Sequence, residues 1–370
     1  MTSTPPTQII HSSSPWLREA QDQFQKERAR FSHHSGSHFL DHDLSMPFEI
    51  WPEKNSNNNN NKKAMILIHG FLGTPYFMRP LAEVFSKQDF YCYAPRLPGH
   101  GVCQEAMRCQ DLGQILKNLI SQIQEIQTQF EEIYLCGFSF GGLLSTLLAQ
   151  EAQENPELNL KIKSLILFAP SYGITALSKL IPPLAALGFG NALYPSAASM
   201  NGFQNPAMYH WYPLCAVLPI IKGIAKLKNK NKNSLNHLPI FIVGSFEDAV
   251  VKLKPMLDFF SLNQNSNSRL YLYAEKRHQG LLKADSKITL IDPKNLGPSI
   301  LNLSHVSLLI PPEDPIFGQD TSQYKNIKNK NNFYLGEKIP SLTLRKNLFR
   351  LFYNPDFKPL SQALLKFLDS

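Results

Sequence analysis

The chain has 370 residues, of which 43% are apolar and 11% aromatic, so it can bury a full core and is not a disordered chain. Its formal net charge of +8 could attract anionic lipid or nucleic acid, but the basic residues are scattered except in two Asn-rich runs, 222–232 and 325–332. Such runs are typical of solvated loops. No nucleic-acid-binding motif accompanies them, so we predict no nucleic-acid partner. Peripheral contact of the 222–232 run with a membrane stays open as an alternative.

The first 45 residues are polar and are predicted to form an N-terminal extension. They lack the basic and apolar regions of a secretory signal, and the five cysteines of the chain form neither a CxxC pair nor an even set. Both observations favour a cytoplasmic protein with reduced thiols. The extension also holds the His- and Asp-rich stretch SHHSGSHFLDHD, but these histidines do not lie on a convincing helix, so we expect no metal site.

From residue 46 onwards, apolar runs typical of buried strands alternate with segments of helical periodicity. Strands are predicted at FEIWP, AMILIHG, FYCYAP, EEIYLCG, IKSLILFAP, LPIFIVGS, RLYLY and KITLI. Helices are predicted at FMRPLAEVFSKQ, LGQILKNLISQIQEIQTQF, LLSTLLAQEAQ and SQALLKFL. The Asn run NSNNNNNKK after the first strand is predicted to be a solvated turn. This alternation predicts an α/β fold with a parallel sheet covered by helices on both faces.

Residues 173–236 interrupt the alternation. They are rich in apolar residues, Pro and Gly and contain no clear strand, which favours a cap or lid inserted between two core parts, 46–172 and 237–370. Additional packing helices are the alternative. Apolar and aromatic side chains of a cap would line an apolar pocket, and Tyr209 and Trp211 in MYHWYPL are the predicted substrate-binding residues.

The stretch GFSFGG lies between a predicted strand and a predicted helix, which is the setting of a G-x-S-x-G nucleophile elbow. Gly137 and Gly141 would let the chain turn tightly and present Ser139 at the carboxyl edge of the sheet. A serine nucleophile needs a base within hydrogen-bond reach, and in this kind of site an orienting acid and then the histidine follow the serine along the chain. Asp248, just past the strand IFIVGS, is the predicted acid, and its neighbour Glu247 is expected to lie in a surface turn.

Only two histidines follow Asp248, and either one satisfies the required order. His278 has charged neighbours that are typical of a solvent-exposed loop. His305 follows an apolar stretch in SILNLSHVSLLIPP, where the loop would point inward. We predict His305 as the base and keep His278 as the alternative.

The turn HGFLG directly after a predicted strand supplies the remaining requirement, an oxyanion hole. Its glycines would let the backbone approach the substrate. We expect the N–H of Phe71 and the N–H of Phe140, just after the nucleophile, to donate to the oxyanion. His69 precedes the serine and is expected to brace this loop rather than act as the base.

The ordered set HGFLG, LPGHG, GFSFGG, the Asp248 turn and SHVSL resembles the α/β-hydrolase superfamily. Within it, the set is most similar to the branch of monoacylglycerol lipases, carboxylesterases and serine aminopeptidase-like hydrolases. The resemblance covers about residues 46–310 and implies about eight strands, a cap after the sixth, no cofactor and hydrolysis of a small acyl ester through an acyl-serine intermediate. SHVSLLIPPEDPIFG also resembles a bacterial subgroup whose histidine precedes proline-rich turns, which favours His305.

Two alternatives to an esterase follow from the same residues. A peptidase of this fold would need carboxylates in the cap to hold the substrate ammonium, and residues 173–236 contain no Asp or Glu. A binding protein without catalysis would not need the complete set of nucleophile, acid, base and oxyanion turn. The N-terminal extension, the Asn run and the residues after His305 depart from small esterases, and the sequence makes no prediction of oligomeric state.

Overall fold

A computed structural model describes residues 13–32, 39–52, 62–108, 110–174, 180–195, 205–230, 234–280, 285–328, 333–337 and 347–370. The described strands are β1 (Phe48–Ile50), β2 (Lys63–Ile68), β3 (Phe90–Ala94), β4 (Glu132–Phe138), β5 (Ile162–Phe168), β6 (Leu193–Pro195), β7 (Trp211–Pro213), β8 (Ile240–Ser245), β9 (Arg269–Tyr273), β10 (Ile288–Ile291), β11 (Tyr334–Leu335) and β12 (Leu348–Phe349). The described helices are α1 (Pro15–Phe31), α2 (His42–Ser45), α3 (Arg79–Ser86), α4 (Leu112–Ile126), α5 (Phe140–Glu154), α6 (Ile181–Ala186), α7 (Leu218–Asn229), α8 (Leu253–Leu262), α9 (Lys276–Gln279), α10 (Ser322–Lys328) and α11 (Phe357–Leu368).

A single sheet of eight strands, in the order β1-β3-β2-β4-β5-β8-β9-β10, forms the centre of the molecule. Only β1 is antiparallel to its neighbour in this sheet, and the other pairs are parallel. The carboxyl ends of the parallel strands therefore meet at one edge, where loops from distant parts of the chain come together. The predicted α/β architecture and the number of strands are confirmed.

Helices cover both faces of the sheet because successive strand residues point to opposite sides. Met65 and Leu67 of β2 pack with residues of α3 and α11, whereas Ala64 and Ile66 pack with residues of α4, α5 and α8. Each face is thus a separate apolar core. Nearly continuous apolar strands such as β2 are the expected sequence of a strand buried on both faces.

The segment 173–236 follows β5, the fifth strand of the central sheet along the chain, not the sixth as the resemblance implied. Its described parts contain α6, the antiparallel pair β6–β7 and α7. Helix α7 packs on α5, and Lys226 and Lys230 of the basic run both contact the carboxylate of Glu151, at 2.6 and 3.2 Å. Part of that basic run is therefore paired with acidic side chains of the core. Within the described ranges, no helix is both long enough and apolar enough to span a membrane.

The N-terminal extension packs against the core through α1. Trp16 donates a hydrogen bond to the Tyr91 hydroxyl at 2.6 Å, and the Glu27 carboxylate pairs with Arg96 at 2.5 Å. Of the histidine-rich stretch, residues 33–38 lie outside the described residues, and the partly buried His42 contacts the neighbouring, exposed Asp43. Across the described ranges, no group of three or more His, Cys, Asp or Glu side chains is placed to hold a metal ion.

Four cysteines lie within the described chain, and all four are buried: Cys92, Cys103, Cys136 and Cys215. The fifth, Cys109, lies outside the described residues.

Candidate active site

Ser139 lies on a sharp turn between the end of β4 and the start of α5, with φ 54° and ψ −113°. A positive φ is strained for a residue with a side chain, so the surroundings must hold it. A Cβ at Gly137 would lie 2.4 Å from the Gly141 carbonyl oxygen, and a Cβ at Gly141 would lie 2.0 Å from the Ile68 carbonyl oxygen. Only glycine fits at either position, which explains the G-x-S-x-G spacing and places the serine at the carboxyl edge of the sheet.

The Ser139 hydroxyl contacts a residue that sequence reasoning missed. Its Oγ lies 3.1 Å from the Oγ of Ser171, and the Ser171 N–H donates to the Ser139 carbonyl oxygen at 3.0 Å. Ser171 is buried and lies just beyond the carboxyl end of β5, the strand beside β4. A polar residue shortly after the end of a buried parallel strand was the available signal, because such positions converge at the edge where ligands bind.

The predicted acid and base are brought together although they lie 57 residues apart in the chain. The Nδ1 of His305 is 2.7 Å from the Oδ2 of Asp248, and both side chains are buried. The other carboxylate oxygen of Asp248 accepts hydrogen bonds from the N–H groups of Val250 and Val251, at 2.7 and 2.9 Å. The acid is therefore held by its own loop on one side and contacts the imidazole on the other.

The charge of Asp248 depends on these contacts. Burial alone would raise the pKa of this carboxyl group, but the neighbouring His305 and the two backbone N–H groups together lower the pKa below its ordinary value. The carboxylate is thus the stable form at neutral pH. An ionised acid at this distance fixes the imidazole with its Nδ1–H toward Asp248, which leaves Nε2 as the proton acceptor.

The predicted base packs beside the residue that precedes the predicted nucleophile. The imidazole of His305 packs against the ring of Phe138, the residue before Ser139, with ring centroids 4.9 Å apart. Within the described chain, the Ser139 hydroxyl is hydrogen bonded to Ser171 and not to the imidazole. Catalytic hydrogen bonds are often long in a free enzyme and tighten when substrate binds, so this geometry is compatible with a serine–histidine pair.

The alternative base, His278, has a different carboxylate partner. Its Nε2 is 3.4 Å from the Oε1 of Glu247, and its ring stacks on Phe246 at 4.1 Å. The two adjacent acids therefore pair with the two candidate histidines, Glu247 with His278 and Asp248 with His305. The structure brings only the second pair next to the residue that precedes Ser139.

The turn after β2 lies against the elbow. A Cβ at Gly70 would be 3.2 Å from the Cβ of Ser139, and Leu72 adopts a positive φ of 65°. Phe140 is the first residue of α5, and a first-turn N–H has no carbonyl partner within its own helix. The N–H of Phe71 has no hydrogen-bond acceptor among the described residues. That these two N–H groups donate to an oxyanion stays a prediction.

His69 connects this turn to the LPGHG loop. Its Nδ1 lies 2.9 Å from the Gly70 carbonyl oxygen, and its Nε2 accepts a hydrogen bond from the Leu97 N–H at 3.1 Å. Burial lowers the pKa of His69 well below the ordinary value, and the nearby His100 lowers it further. The ring is therefore neutral, donating from one nitrogen and accepting at the other, as a bracing histidine would.

The two predicted substrate-binding residues lie in different settings. Tyr209 is buried, and its hydroxyl accepts from the Val102 N–H at 2.9 Å and donates to the Gly99 carbonyl oxygen at 3.1 Å. Its backbone N–H donates to the Leu72 carbonyl oxygen at 3.1 Å, so this residue ties the segment 173–236 to the oxyanion turn. Trp211 is 48% exposed on the β6–β7 pair. Contact of either residue with substrate stays a prediction.

The sequence also matches known proteins. The sequence model of a family described as serine aminopeptidase, S33, matches residues 59–285, a range that contains Ser139 and Asp248 and ends before His305. A thermostable monoacylglycerol lipase of Bacillus sp. (strain H-257) is 28% identical over 195 residues, which cover 50% of this chain and 71% of that protein. A carboxylesterase of Bacillus subtilis (strain 168) is 32% identical over 87 residues, 23% of this chain and 35% of that protein.

A solved structure from the pair of metagenome-derived lipolytic enzymes LipS and LipT superposes with a TM-score of 0.50 and 21% identity. The superposition covers 64% of this chain and 90% of that chain. Because the identity is low, this likeness concerns the fold.

Proposed function

The chain belongs to the serine aminopeptidase, S33, family and has the α/β-hydrolase fold, and on that premise we propose that it hydrolyses carboxylic esters through an acyl-serine intermediate. The observation that carries the proposal is the contact of His305 with Asp248 beside the strained Ser139 turn. A serine, a histidine held by a buried carboxylate, and two backbone donors are the groups that acyl transfer requires.

In the first half of the reaction, the Nε2 of His305 takes the proton of the Ser139 hydroxyl as the oxygen attacks the ester carbonyl carbon. The Asp248 carboxylate stabilises the imidazolium that forms. The N–H groups of Phe71 and Phe140 donate to the carbonyl oxygen as it becomes negative, and the loss of one such donor typically reduces the rate by about 10²–10³-fold. Collapse of the intermediate breaks the bond to the alcohol, which receives its proton from His305.

In the second half, His305 takes a proton from water, and the hydroxide that forms attacks the acyl-enzyme carbonyl. The same two N–H groups stabilise the second oxyanion. When that intermediate collapses, Ser139 leaves with the proton from His305 and the carboxylic acid is released. Every proton that moves thus passes through one imidazole nitrogen.

We propose a monoacylglycerol or another medium-chain acyl ester as the substrate, and the segment 173–236 as the cap over it. Apolar side chains of this segment support the assignment: Met208, Tyr209, Tyr212 and Ala216 pack with Leu72 of the oxyanion turn. The ring centroids of Phe71 and Tyr212 are 5.3 Å apart, so this segment meets the oxyanion turn through apolar side chains. The monoacylglycerol lipase of Bacillus sp. is similar to this chain over 195 residues, which supports the same substrate class.

Peptide hydrolysis is less well supported, although the family description names an aminopeptidase. An N-terminal substrate ammonium needs carboxylates to hold it, and residues 173–236 contain no Asp or Glu. Monooctanoylglycerol and an amino-acid p-nitroanilide, assayed side by side, distinguish the two reactions. We expect turnover of the glyceride alone.

Labelling with a fluorophosphonate tests the machinery independently of the natural substrate, since this reagent reacts with an activated serine. We expect one adduct per chain by intact mass, located on Ser139 by peptide mass, and none on folded Ser139→Ala. A folded wild-type protein with no adduct and no turnover of either substrate would contradict the proposal and favour a binding protein of this fold.

A further inference from the structure

The loop that carries His305 is held by a segment that follows it in the chain. Strand β11 runs beside residues 299–301, with the Leu335 N–H donating to the Ser299 carbonyl oxygen at 2.7 Å and the Leu301 N–H donating to the Leu335 carbonyl oxygen at 2.9 Å. Strand β12 pairs with β11 in parallel, and the Gly336 N–H donates to the Phe349 carbonyl oxygen at 2.9 Å. Residues 299–301, which lead to His305, therefore pair with β11, and β11 pairs with β12, outside the central sheet.

A carboxylate at the end of β11 reaches both catalytic loops. The Oε2 of Glu337 accepts a hydrogen bond from the backbone N–H of His305 at 3.0 Å and a longer one, at 3.4 Å, from that of Ala249, the residue after Asp248. The other oxygen, Oε1, lies 2.9 Å from the guanidinium of Arg350. The Glu337 side chain is 2% exposed and that of Arg350 is 10% exposed, so this is a buried ion pair.

We propose that Glu337 is a positioning residue that sets the distance between His305 and Asp248, an inference that rests on the proposed function of that pair. One oxygen atom contacts the backbone of both loops, so the carboxylate fixes the two loops relative to each other. Misplacement of a catalytic group by about 1 Å can reduce a rate by about 10²-fold. The 2.7 Å contact of His305 with Asp248 is the distance that would change.

A buried carboxylate is costly unless it is paired, and here Oε2 accepts the backbone hydrogen bonds while Oε1 contacts the Arg350 guanidinium. Arg350 offsets the charge, and a hydrogen bond to an ionised acceptor is stronger than a neutral one. The position of Glu337 is itself fixed, because its N–H donates to the Asn302 side chain at 2.8 Å, three residues before the base. These contacts join the residues beyond His305, a part of the chain that the resemblance left unexplained, to the catalytic geometry.

The test compares Glu337→Ala, Glu337→Asp and Glu337→Gln with a matched control, Asp356→Ala. Asp356 is also a buried carboxylate beyond His305, but its partners are the hydroxyls of Tyr271 and Tyr273, at 2.7 and 3.1 Å. For each full-length protein we would measure the unfolding temperature, kcat and KM with p-nitrophenyl octanoate well below that temperature, and the rate of fluorophosphonate inactivation.

We expect kcat and the inactivation rate of Glu337→Ala to fall about 10–100-fold with KM changed less than about threefold, because the chemistry and not the binding of ester depends on the pair. Glu337→Gln keeps an acceptor for the His305 N–H and should recover most of that loss. Glu337→Asp keeps the charge but is shorter by one methylene, so it should lose rate although it folds. Asp356→Ala should lower the unfolding temperature without this loss of kcat.

Equal loss of kcat in Asp356→Ala and Glu337→Ala, or a Glu337→Ala protein within about threefold of wild type, would overturn the proposal. A second readout does not depend on activity. The Nδ1–H proton of His305 gives a downfield proton resonance when it is hydrogen bonded to a carboxylate, and His305→Ala identifies it by its loss. We expect this resonance to shift or disappear in Glu337→Ala and to persist in Asp356→Ala. If the wild type hydrolyses no ester, the proposed function fails, and an unchanged resonance in Glu337→Ala still separately overturns the positioning role.

Discussion

The two halves of the candidate site are built in different ways. The half with the nucleophile consists of β4, the Ser139 turn and α5, which are continuous in the chain, together with the turn after the adjacent β2. The half with the base consists of His305 and Asp248, 57 residues apart, and of Glu337, 32 residues beyond the histidine. The first half depends on local steric fit, and the second depends on contacts between distant loops.

This difference predicts how substitutions in each half should affect stability and activity. A substitution in the nucleophile half meets backbone atoms that cannot move without disturbing the central sheet, so it should reduce stability and activity together. A substitution in the base half changes the relative position of loops that lie outside the sheet, so it should reduce activity more than stability. Substitutions in each half distinguish these two behaviours.

The largest effect is expected for His305→Ala. Loss of the base should reduce kcat by at least about 10³-fold, because the serine then lacks a proton acceptor. His278 is more exposed than His305 and contacts Glu247. His278→Ala should therefore change kcat by no more than about twofold. Steady-state kinetics on both variants, with circular dichroism to confirm folding, decides between the two histidines. A large loss in His278→Ala alone would show that the base is wrongly assigned.

In the nucleophile half, Gly141→Ala should destabilise the protein by about 3 kcal/mol and abolish labelling of Ser139, because the new Cβ would lie 2.0 Å from the Ile68 carbonyl oxygen. Gly280→Ala is the matched control, since a Cβ there meets no described atom within 4 Å. Urea unfolding measures both. Wild-type stability in Gly141→Ala would mean that the turn is less constrained than its geometry indicates.

Two buried carboxylates beyond the nucleophile should respond to pH in opposite directions. Burial alone would raise the pKa of Asp248, but His305 and two backbone N–H groups lower the pKa below its ordinary value. The contribution of Asp248 to the free energy of unfolding is therefore complete above about pH 4 and is lost as pH falls through the folded pKa. Burial raises the pKa of Asp356 despite the hydrogen bonds from Tyr271 and Tyr273. Its contribution is therefore complete below about pH 4 and is lost as pH rises through the folded pKa.

Urea unfolding of wild type, Asp248→Asn and Asp356→Asn between pH 3 and 7 measures these contributions, the range bracketing the ordinary carboxyl pKa of about 4. The stability advantage of wild type over Asp248→Asn should shrink as pH falls below about 4. The advantage over Asp356→Asn should shrink as pH rises above about 4. The same pH dependence for both variants would contradict the opposite pKa shifts.

The smallest effect is expected for Ser171→Ala, which removes the hydrogen bond to the Ser139 hydroxyl at 3.1 Å. A single hydrogen bond contributes about 1 kcal/mol, which corresponds to about fivefold in a rate. We expect kcat/KM to change by no more than about fivefold in either direction. A loss as large as that of His305→Ala would instead give Ser171 a direct part in the chemistry.

Much of the fold and one half of the site could be predicted from the chain itself. The alternation of apolar runs with helical periodicity predicted the central sheet, because a strand buried on both faces must be apolar throughout, as β2 is. The two glycines around Ser139 predicted the elbow, because the clash that excludes other residues involves Gly137, Gly141 and the adjacent β2. The resemblance placed the segment 173–236 after the sixth strand, whereas it follows β5, the fifth described strand of the central sheet.

Composition and local spacing thus determined the α/β architecture and the tight turn at Ser139, because steric exclusion and side-chain periodicity act over a few residues. Only the tertiary structure decided that His305 contacts Asp248 while His278 contacts Glu247. It also revealed the contact of Ser171 with the Ser139 hydroxyl and the hydrogen bond from the His305 N–H to Glu337. These partners come from distant loops, and which loops meet depends on how every element between them packs, information that no short stretch of sequence contains.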